Sequence, residues 1–447
     1  MKVLHVPYCF APDSTGGTEN YVEALARQQV ANGKHAEIAA PDTADQCYDH
    51  RGLTVHRFAH ATALPLAQIY GEGDPIAAAS FARVLDRMRP DIVHLHAFTS
   101  SISILLIDEA KARGAKVVFT YHTPTVSCQR GTLLENGRSV CDGILDVSRC
   151  AKCALDGYGL GAIASKVLGS APPSLGKQLL ATGVTGRIAI AFGMTYLMRV
   201  RQIAFRQLIN QADHIVAVCE WVRDLLTLNG ADSAKMTLSR QGVTEPSTKQ
   251  TPERGKRSKP IRLVFLGRAS EEKGAHRIIE ALRSCPELCV SLDLFLVIQG
   301  QAGRDYARVL EKVAAGDGRI QFRAPMPAGK TINTLMQYDA MVVPSQWLET
   351  GPLVVYEAFA AGIPVLGSRL GGITELVKHG ITGLLLDPLS TADWCGALRL
   401  LSTDDTVLDA LSKELPEPRR MPAAAADMDL VYARVLGNDC QAYATYV

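Results

Sequence analysis

Two glutamates stand in an unusual setting in the stretch PSQWLETGPLVVYEAFAAGIPVLGS, residues 344–368. The sequence predicts a helix over residues 353–361, in which Glu357 is the only side chain that is not hydrophobic. Glu349 lies eight residues earlier, on the approach to this helix. A carboxylate is costly to bury without a partner. Two carboxylates at different depths suit two hydroxyl-bearing parts of one ligand, bound through charge-assisted hydrogen bonds.

Two cations follow the strand predicted at IRLVFLG. Arg268 comes directly after the last glycine of this strand, and Lys273 with Gly274 precedes the helix predicted at AHRIIEAL. A cation at a strand's carboxyl end and another before a helix N-terminus predict an anion site, to which the helix amides and dipole add. The alternative is a pair of solvated surface cations.

The first half of the chain has two weaker candidates. Gly16 and Gly17 lie between the first strand and the first helix, where paired glycines let the backbone approach a phosphate or form a simple tight turn. His96 and His122 follow strands, and a histidine at a strand's carboxyl end can face a ligand site. His122 is the preferred functional histidine, and a packed structural histidine is the alternative.

Four of the chain's 11 cysteines are concentrated in a short segment, VSCQRGTLLENGRSVCDGILDVSRCAKCA. They are Cys128, Cys141, Cys150 and Cys153. The C-x2-C pair with two thiols upstream fits a closed tetrahedral site, which favours structural zinc. An iron–sulfur cluster is the second interpretation, and free thiols or disulfides are the third.

The composition limits the class of protein. The chain has 447 residues, 47% of them hydrophobic, and a net charge of +2, so no global field indicates nucleic-acid binding. The N-terminus predicts a strand rather than a secretory signal, which leads us to expect a cytoplasmic, reducing location. A Rossmann dehydrogenase is excluded because the G-x-G-x-x-G fingerprint is missing.

Short β-branched runs alternate with helix-period segments, which predicts two doubly wound α/β domains facing a cleft. We expect an N-terminal domain over residues 1–245 with a cysteine-rich insert at about 125–205. A linker over 246–260 and a C-terminal domain over 261–425 follow. A tail helix over 426–447 then packs back on the first domain. Its Asp427 and Asp429 favour a helix start over a metal site.

The segment from about 179 to 206 has a charge-free apolar run that is too short to span a bilayer. Arginines follow it directly, so an interfacial amphipathic helix in peripheral contact with a membrane is one interpretation. A buried interdomain or dimer helix is the other.

Taken together, these motifs resemble the retaining glycosyltransferases of family 4, which have two Rossmann-like domains of the GT-B type. The resemblance is carried by E-x7-E after a strand ending in Pro-Ser, by G-R-x4-K-G, by the N-terminal Gly-Gly loop and by the T-Y-H strand end. The later segment GSRLGGITELVKHGITGLLLDP is also similar to that family. The resemblance is clear from Arg262 to about Leu401 and does not extend to the insert.

The resemblance implies a role for each motif in the C-terminal half. Arg268 and Lys273 would bind the donor diphosphate and stabilise its charge as it leaves. Glu357 would accept hydrogen bonds from the nucleotide ribose, and Glu349 would contact the donor sugar near the reacting carbon. The segment from Gly351 through Pro352 to Leu353 belongs to the same loop and would lie beside the donor, with the backbone amides of Gly351 and Leu353 near it.

In the N-terminal half, Gly16 and Gly17 would approach the phosphates and His122 would contact donor sugar or phosphate. The resemblance further implies a UDP- or GDP-sugar donor, a glycan or lipid-linked acceptor, and retaining chemistry without a metal, in surface polysaccharide or glycolipid assembly. The alternatives are a GT-B-shaped nucleotide-sugar epimerase or sugar phosphorylase, and a non-catalytic partner-binding protein that docks through the cysteine loop.

Overall fold

A computed structural model describes residues 1–13, 16–183, 185–243, 259–326 and 329–437. The chain divides into two compact units, one formed by Met1–Arg240 with the chain from Ala424 onward, the other by Gln241–Ala423. Almost all of the linker expected at 246–260 lies outside the described residues.

The first unit is built on an eight-stranded sheet in the order β10-β9-β6-β5-β1-β2-β4-β3. All neighbours are parallel except β3, which pairs antiparallel with β4 at the edge. Its strands are β1 Lys2–Val6, β2 His35–Asp42, β3 Gln46–His50, β4 Leu53–Ala59, β5 Ile92–Leu95, β6 Lys116–Tyr121, β9 His214–Ala217 and β10 Met236–Leu238, and a separate hairpin is formed by β7 Leu134–Glu135 and β8 Ser139–Val140. The helices between them are α1 Gly17–Ala31, α2 Pro75–Met88, α3 Ile104–Ala112, α4 Val147–Gly157, α5 Ala162–Leu168, α6 Pro173–Ala181, α7 Gly186–Gln211 and α8 Glu220–Leu228.

The second unit is a six-stranded, all-parallel sheet in the order β13-β12-β11-β14-β15-β16. Its strands are β11 Ile261–Arg268, β12 Val290–Val297, β13 Ile320–Arg323, β14 Ala340–Val343, β15 Val365–Ser368 and β16 Gly383–Leu386. Its helices are α9 Ala275–Ser284, α10 Gly300–Ala314, α11 Thr331–Leu335, α12 Leu353–Ala360, α13 Gly371–Leu376, α14 Thr391–Thr403 and α15 Asp405–Lys413. Parallel strands with crossover helices bury both faces of a sheet, which explains the continuous apolar runs of the sequence. The predicted α/β fold with two doubly wound domains is confirmed.

The insert of the first unit has its own small core. Helices α4 and α7 and the π-turn Gln68–Glu72 pack together around Tyr70, Leu155, Met194 and Leu197. The segment predicted as either interfacial or buried therefore contains the start of a 26-residue helix, α7, with one side in this core. No described helix is long and apolar enough to cross a membrane.

A last helix, α16 Met421–Val435, carries the two aspartates of the D-x-D motif. Asp429 accepts a hydrogen bond from Lys34 Nζ at 2.5 Å and Asp427 accepts one from Ser239 Oγ at 2.7 Å. The buried Tyr432 hydroxyl lies 2.6 Å from His94 Nδ1. These contacts fix the helix to the first unit, and both aspartates are occupied by protein groups.

Candidate functional site

The loop after β11 is held against the loop after β14 by a glycine that cannot be replaced. Gly274 has φ +70°, in the left-handed region, and a Cβ there would lie 1.9 Å from the carbonyl oxygen of Pro344. The amide of Gln346 also donates to the carbonyl of Glu272 at 2.7 Å. Because β11 and β14 are parallel neighbours, their carboxyl ends bring these two loops together. Lys273 and Glu349 are thereby placed side by side.

The two side chains form a buried ion pair. Lys273 Nζ donates to Glu349 Oε1 at 2.7 Å, and the Ser345 hydroxyl donates to the same oxygen at 2.7 Å. Burial works to raise the pKa of Glu349, but the Lys273 ammonium and these two hydrogen bonds outweigh it and hold the pKa below its usual value. Glu349 is therefore an ionised carboxylate with only 5% of its surface exposed.

A pair of glycines supports the backbone under Glu349. The Gly372 amide donates to the Glu349 carbonyl at 2.6 Å, and a Cβ on Gly372 would lie 2.8 Å from that oxygen. Gly371 has φ +48° and packs equally closely on the same residue. The roles of Gly371, Gly372 and Ser345 were missed from the sequence, although the motifs containing them were recognised. Close backbone approach is the signal that paired glycines could have given.

Arg268 is the last residue of β11 and is exposed. No hydrogen bond or ion pair to its guanidinium is found within the part of the chain that the structure describes. It therefore stands at the carboxyl end of the sheet as a cation free to meet an anionic ligand. Helix α9 begins just beyond Lys273, and its N-terminal dipole favours negative charge in the same place.

Glu357 differs from Glu349 in having no binding partner among the described residues. It lies half-buried on α12 between the buried Tyr356 and Ala358. Burial raises the pKa of Glu357 to about 7. Among the described residues, no hydrogen bond or ion pair reaches its carboxyl group. Gly351 and Pro352 are buried at the entry to α12, and Leu353 is its first residue.

The structure thus places the predicted residues Arg268, Lys273, Glu349, Glu357 and the segment 351–353 in the second unit, where Lys273 and Glu349 are in direct contact. It places the remaining candidates, Gly16, Gly17, His122 and the four cysteines, in the first unit.

His122 ends a row of buried histidines. His122 Nε2 lies 3.0 Å from His96 Nδ1, His96 Nε2 lies 3.0 Å from His5 Nδ1, and His5 Nε2 lies 2.8 Å from Gln29 Oε1. Burial lowers the pKa of His5 to about 4 and that of His122 to about 3, so the row is neutral at pH 7. Parallel pairing of β5 with β1 and β6 brings these residues together.

Within the described residues, His5, His94 and His96 form the only group of three metal-binding side chains with ligand atoms within 4.8 Å of one another. All six ring nitrogens already have partners, since His94 bonds to Thr120 and Tyr432. A metal would break these bonds, so the cluster is a structural network.

Gly16 caps helix α1, and its amide donates to the side chain of Glu19 at 2.8 Å. Its φ is −111°, a conformation that other residues also adopt, so backbone strain does not explain this glycine. Gly17 is the first residue of the helix.

The four cysteines line one pocket of the insert. Cys150 and Cys153 lie on α4, and backbone amides of Gly143 and Asn136 donate to the sulfurs of Cys141 and Cys153 at 3.4 and 3.2 Å. Burial raises the pKa of Cys150 to about 11 and raises those of Cys141 and Cys153. No three of these described sulfurs lie within 4.8 Å of one another. Four cysteine sulfurs are a suitable donor set for a metal ion, but the side chains would have to move closer together to bind it.

Two family models match this chain, one to each half. Residues 16–155 match the glycosyl transferase 4-like domain, and residues 246–417 match glycosyl transferases group 1. The chain therefore belongs to the family 4 type of glycosyltransferases with the GT-B fold.

Similar curated proteins include two D-inositol 3-phosphate glycosyltransferases. The one from Corynebacterium glutamicum (strain R) is 29% identical over 257 residues, which are 54% of this chain and 61% of that protein. The one from Nocardia farcinica is 31% identical over 221 residues, 46% of this chain and 48% of that protein. The chain thus spans between about half and three fifths of the length of these relatives.

Similar solved structures extend over the whole chain. Sucrose-phosphate synthase from Thermosynechococcus elongatus aligns with 98% of this chain and 100% of its own at a TM-score of 0.66 and 16% identity. Anabaena HepE in complex with UDP aligns with 97% of this chain and 100% of its own at a TM-score of 0.61 and 14% identity. At these identities the similarity establishes the fold.

Removing Lys273 should destabilise the protein because it leaves Glu349 buried and uncompensated. We expect Lys273→Ala to lower the free energy of unfolding by about 3–5 kcal/mol. The double variant Lys273→Ala/Glu349→Gln should recover much of that loss, since no buried charge remains. Urea unfolding of both variants measures this difference. Equal stability of the single and double variants would contradict the ion pair.

The pKa of Glu357 predicts a pH-dependent effect on stability. An unfolded glutamate titrates near 4.5 and folded Glu357 near 7. The native state therefore binds the extra proton, and stability falls as the pH rises from 4.5 to 7. Glu357→Gln should be more stable than wild type above pH 7, by up to about 3 kcal/mol, with the difference vanishing near pH 4.5. Urea unfolding across this range measures it, with Glu311→Gln on α10 as an exposed control. A pH-independent difference would contradict the shifted pKa.

Proposed function

We propose that this chain transfers a sugar from a nucleoside diphosphate sugar, UDP- or GDP-linked, to a glycan or lipid-linked acceptor with retention of configuration. Family membership supports sugar transfer in general. Three observations support the donor: the carboxyl of Glu357, which has no partner among the described residues, the exposed cation Arg268 at the carboxyl end of β11, and the Lys273–Glu349 pair. A ribose would supply the hydrogen-bond donors that Glu357 lacks, and a diphosphate would supply an anionic partner for Arg268.

Each proposed role follows from the charge and burial of its residue. A pair of ribose hydroxyls would donate to Glu357 and favour its ionised form, lowering a pKa that burial now raises. Arg268 and Lys273 would stabilise the diphosphate as it leaves, which is the largest contribution that protein groups can make without a metal. Glu349, ionised and fixed by Ser345, would hold the donor sugar near the reacting carbon.

Gly16, Gly17 and His122 are proposed to contact donor phosphate or sugar from the first unit. The neutral state of His122 suits a hydrogen bond to a sugar hydroxyl rather than a charge interaction. The proposed setting is surface polysaccharide or glycolipid assembly. Anabaena HepE, whose structure was determined with UDP and with UDP-glucose, gives a precedent for this donor class on the same fold.

Arg268 gives the clearest test because its loss breaks no described contact within the protein. Arg268→Gln should leave stability unchanged and weaken binding of a nucleoside diphosphate about tenfold, in line with the loss of one charge-assisted contact of about 1.4 kcal/mol or more. Isothermal titration with UDP, GDP and ADP measures this and identifies the base. The matched control is Arg308→Gln, an exposed arginine on α10.

No binding of any nucleotide by the wild type would refute the proposed donor site. It would favour the non-catalytic, partner-binding alternative. Binding that Arg268→Gln and Arg308→Gln affect equally would place the nucleotide elsewhere in the chain.

The four cysteines are proposed to hold a structural zinc ion. They line one pocket, and amides that donate to two of the sulfurs would stabilise thiolates. Burial raises the pKa values of these thiols and so favours their neutral form. A bound dication would stabilise the negatively charged thiolates instead. Four thiolates leave no open coordination position, so the metal would hold the insert together and would take no part in sugar transfer.

Elemental analysis of the purified protein should find about one zinc per chain. Cys150→Ser/Cys153→Ser should lose it, because half of the ligands are removed. Cys47→Ser/Cys289→Ser, which changes two exposed cysteines, should retain it. Iron with visible absorbance would favour a cluster instead, and four freely titrating thiols in a metal-free protein would refute both metal sites.

A further inference from the structure

The insert helices expose an unusual amount of apolar surface. Residues 158–203 carry seven of the 22 large hydrophobic side chains that are exposed in the described chain, well above their share by length. On α5, Ile163 is 84% and Val167 is 67% exposed. Four residues apart, these two side chains project from the same face of the helix.

The antiparallel helices α6 and α7 present a second apolar ridge. Ile188 and Phe192 lie four residues apart on α7 and are 63% and 47% exposed, while Ala189 and Met194 on the other side are buried. A Cβ on Gly176 would lie 3.2 Å from the carbonyl oxygen of Phe192, so α6 packs closely on this turn of α7. Leu175, the residue before Gly176 on α6, is itself 56% exposed.

Helices α5, α6 and α7 contribute only positive charge, and the nearest acids come from other elements, since Glu72 and Asp108 line a pocket with Lys177 and Arg199. No aspartate or glutamate occurs between Asp156 and Asp213. The exposed cations Lys166, Lys177 and Arg187 lie within the same three helices. Elsewhere the chain is balanced, with 47 basic and 45 acidic residues, so this one-sided stretch is a local feature. Apolar side chains interleaved with cations, on helices that carry no acid of their own, match the surface of an anionic bilayer.

We propose that α5 and the α6–α7 pair dock this protein on an anionic lipid membrane. The exposed side chains Ile163, Val167, Leu175, Ile188 and Phe192 enter the boundary between headgroups and acyl chains, and the neighbouring cations contact lipid phosphates. A buried helix would need a partner with matching acidic groups, and the lack of acids in the whole segment disfavours pairing with a second copy. Docking by this surface is independent of the donor site.

Co-sedimentation with vesicles tests this directly, using phosphatidylcholine alone and phosphatidylcholine with about one third phosphatidylglycerol. We expect binding to the second only. Ile188→Ser/Phe192→Ser should abolish it because the apolar ridge is lost. Lys177→Gln/Arg187→Gln should weaken it about tenfold or more, in line with the contribution of each basic residue near an anionic surface. Ile76→Ser/Leu228→Ser removes two equally exposed apolar side chains from α2 and α8 and should leave binding unchanged.

Two results would overturn the proposal. One is a wild type that does not bind anionic vesicles. The other is binding that the Ile188→Ser/Phe192→Ser variant retains. If the wild type elutes as a dimer that this variant dissociates, and vesicles are not bound, the surface joins two copies instead. Nucleotide binding by the same variant should equal that of the wild type, which keeps this test separate from that of the donor site.

Discussion

The second unit depends on one buried ion pair. Glu349 can be ionised with 5% of its surface exposed because Lys273, Ser345 and Trp347 all favour its charged form. Lys273 reaches Glu349 only because Gly274 turns the chain with a left-handed conformation that brings it against Pro344. The loops that follow two neighbouring strands are thereby fixed as one structure, before any ligand binds. Such preorganisation lowers the cost of arranging charges around a diphosphate.

The two glutamates of the E-x7-E motif are in opposite electrostatic states. Glu349 accepts hydrogen bonds from the Lys273 ammonium and the Ser345 hydroxyl, and its pKa is lowered. Glu357 has no such partner among the described residues, and burial raises its pKa to about 7. A protein that needed only stability would pair or replace Glu357, because an unpaired carboxyl that is partly buried weakens the fold at neutral pH. The proposed ribose contact explains why the residue is tolerated. Because the ribose hydroxyls would bind the ionised form, protonation of Glu357 would weaken ligand binding.

Much of the fold could be predicted because parallel sheets buried on both faces leave a strong apolar pattern. Strand β11, predicted at IRLVFLG, differs from that prediction only in ending one residue later, at Arg268. The edge strand β3, with the polar sequence QCYDH, was missed because an exposed edge does not need that pattern.

The candidate site was less completely predictable, because its partners depend on contacts between distant segments. The sequence indicated that Glu357 was unusual, but not that Ser345 donates to Glu349 or that Gly372 supports it. His122 was chosen as a strand-end histidine, whereas its place in a row with His96 and His5 depends on strand order. The spacing of the four cysteines indicated one metal site. In the structure all four line one pocket, but no three of their sulfurs lie within 4.8 Å of one another.

A crystal structure of the protein with a bound nucleoside diphosphate would show directly whether Glu357, Arg268 and Lys273 form the donor site. We expect ribose hydroxyls within hydrogen-bond distance of the Glu357 carboxyl, roughly 2.6–3.0 Å, and diphosphate oxygens in contact with Arg268 and Lys273. The Lys273–Glu349 pair should change little, because it is already formed. A nucleotide bound elsewhere, or one that leaves Glu357 without a partner, would contradict the proposed donor site.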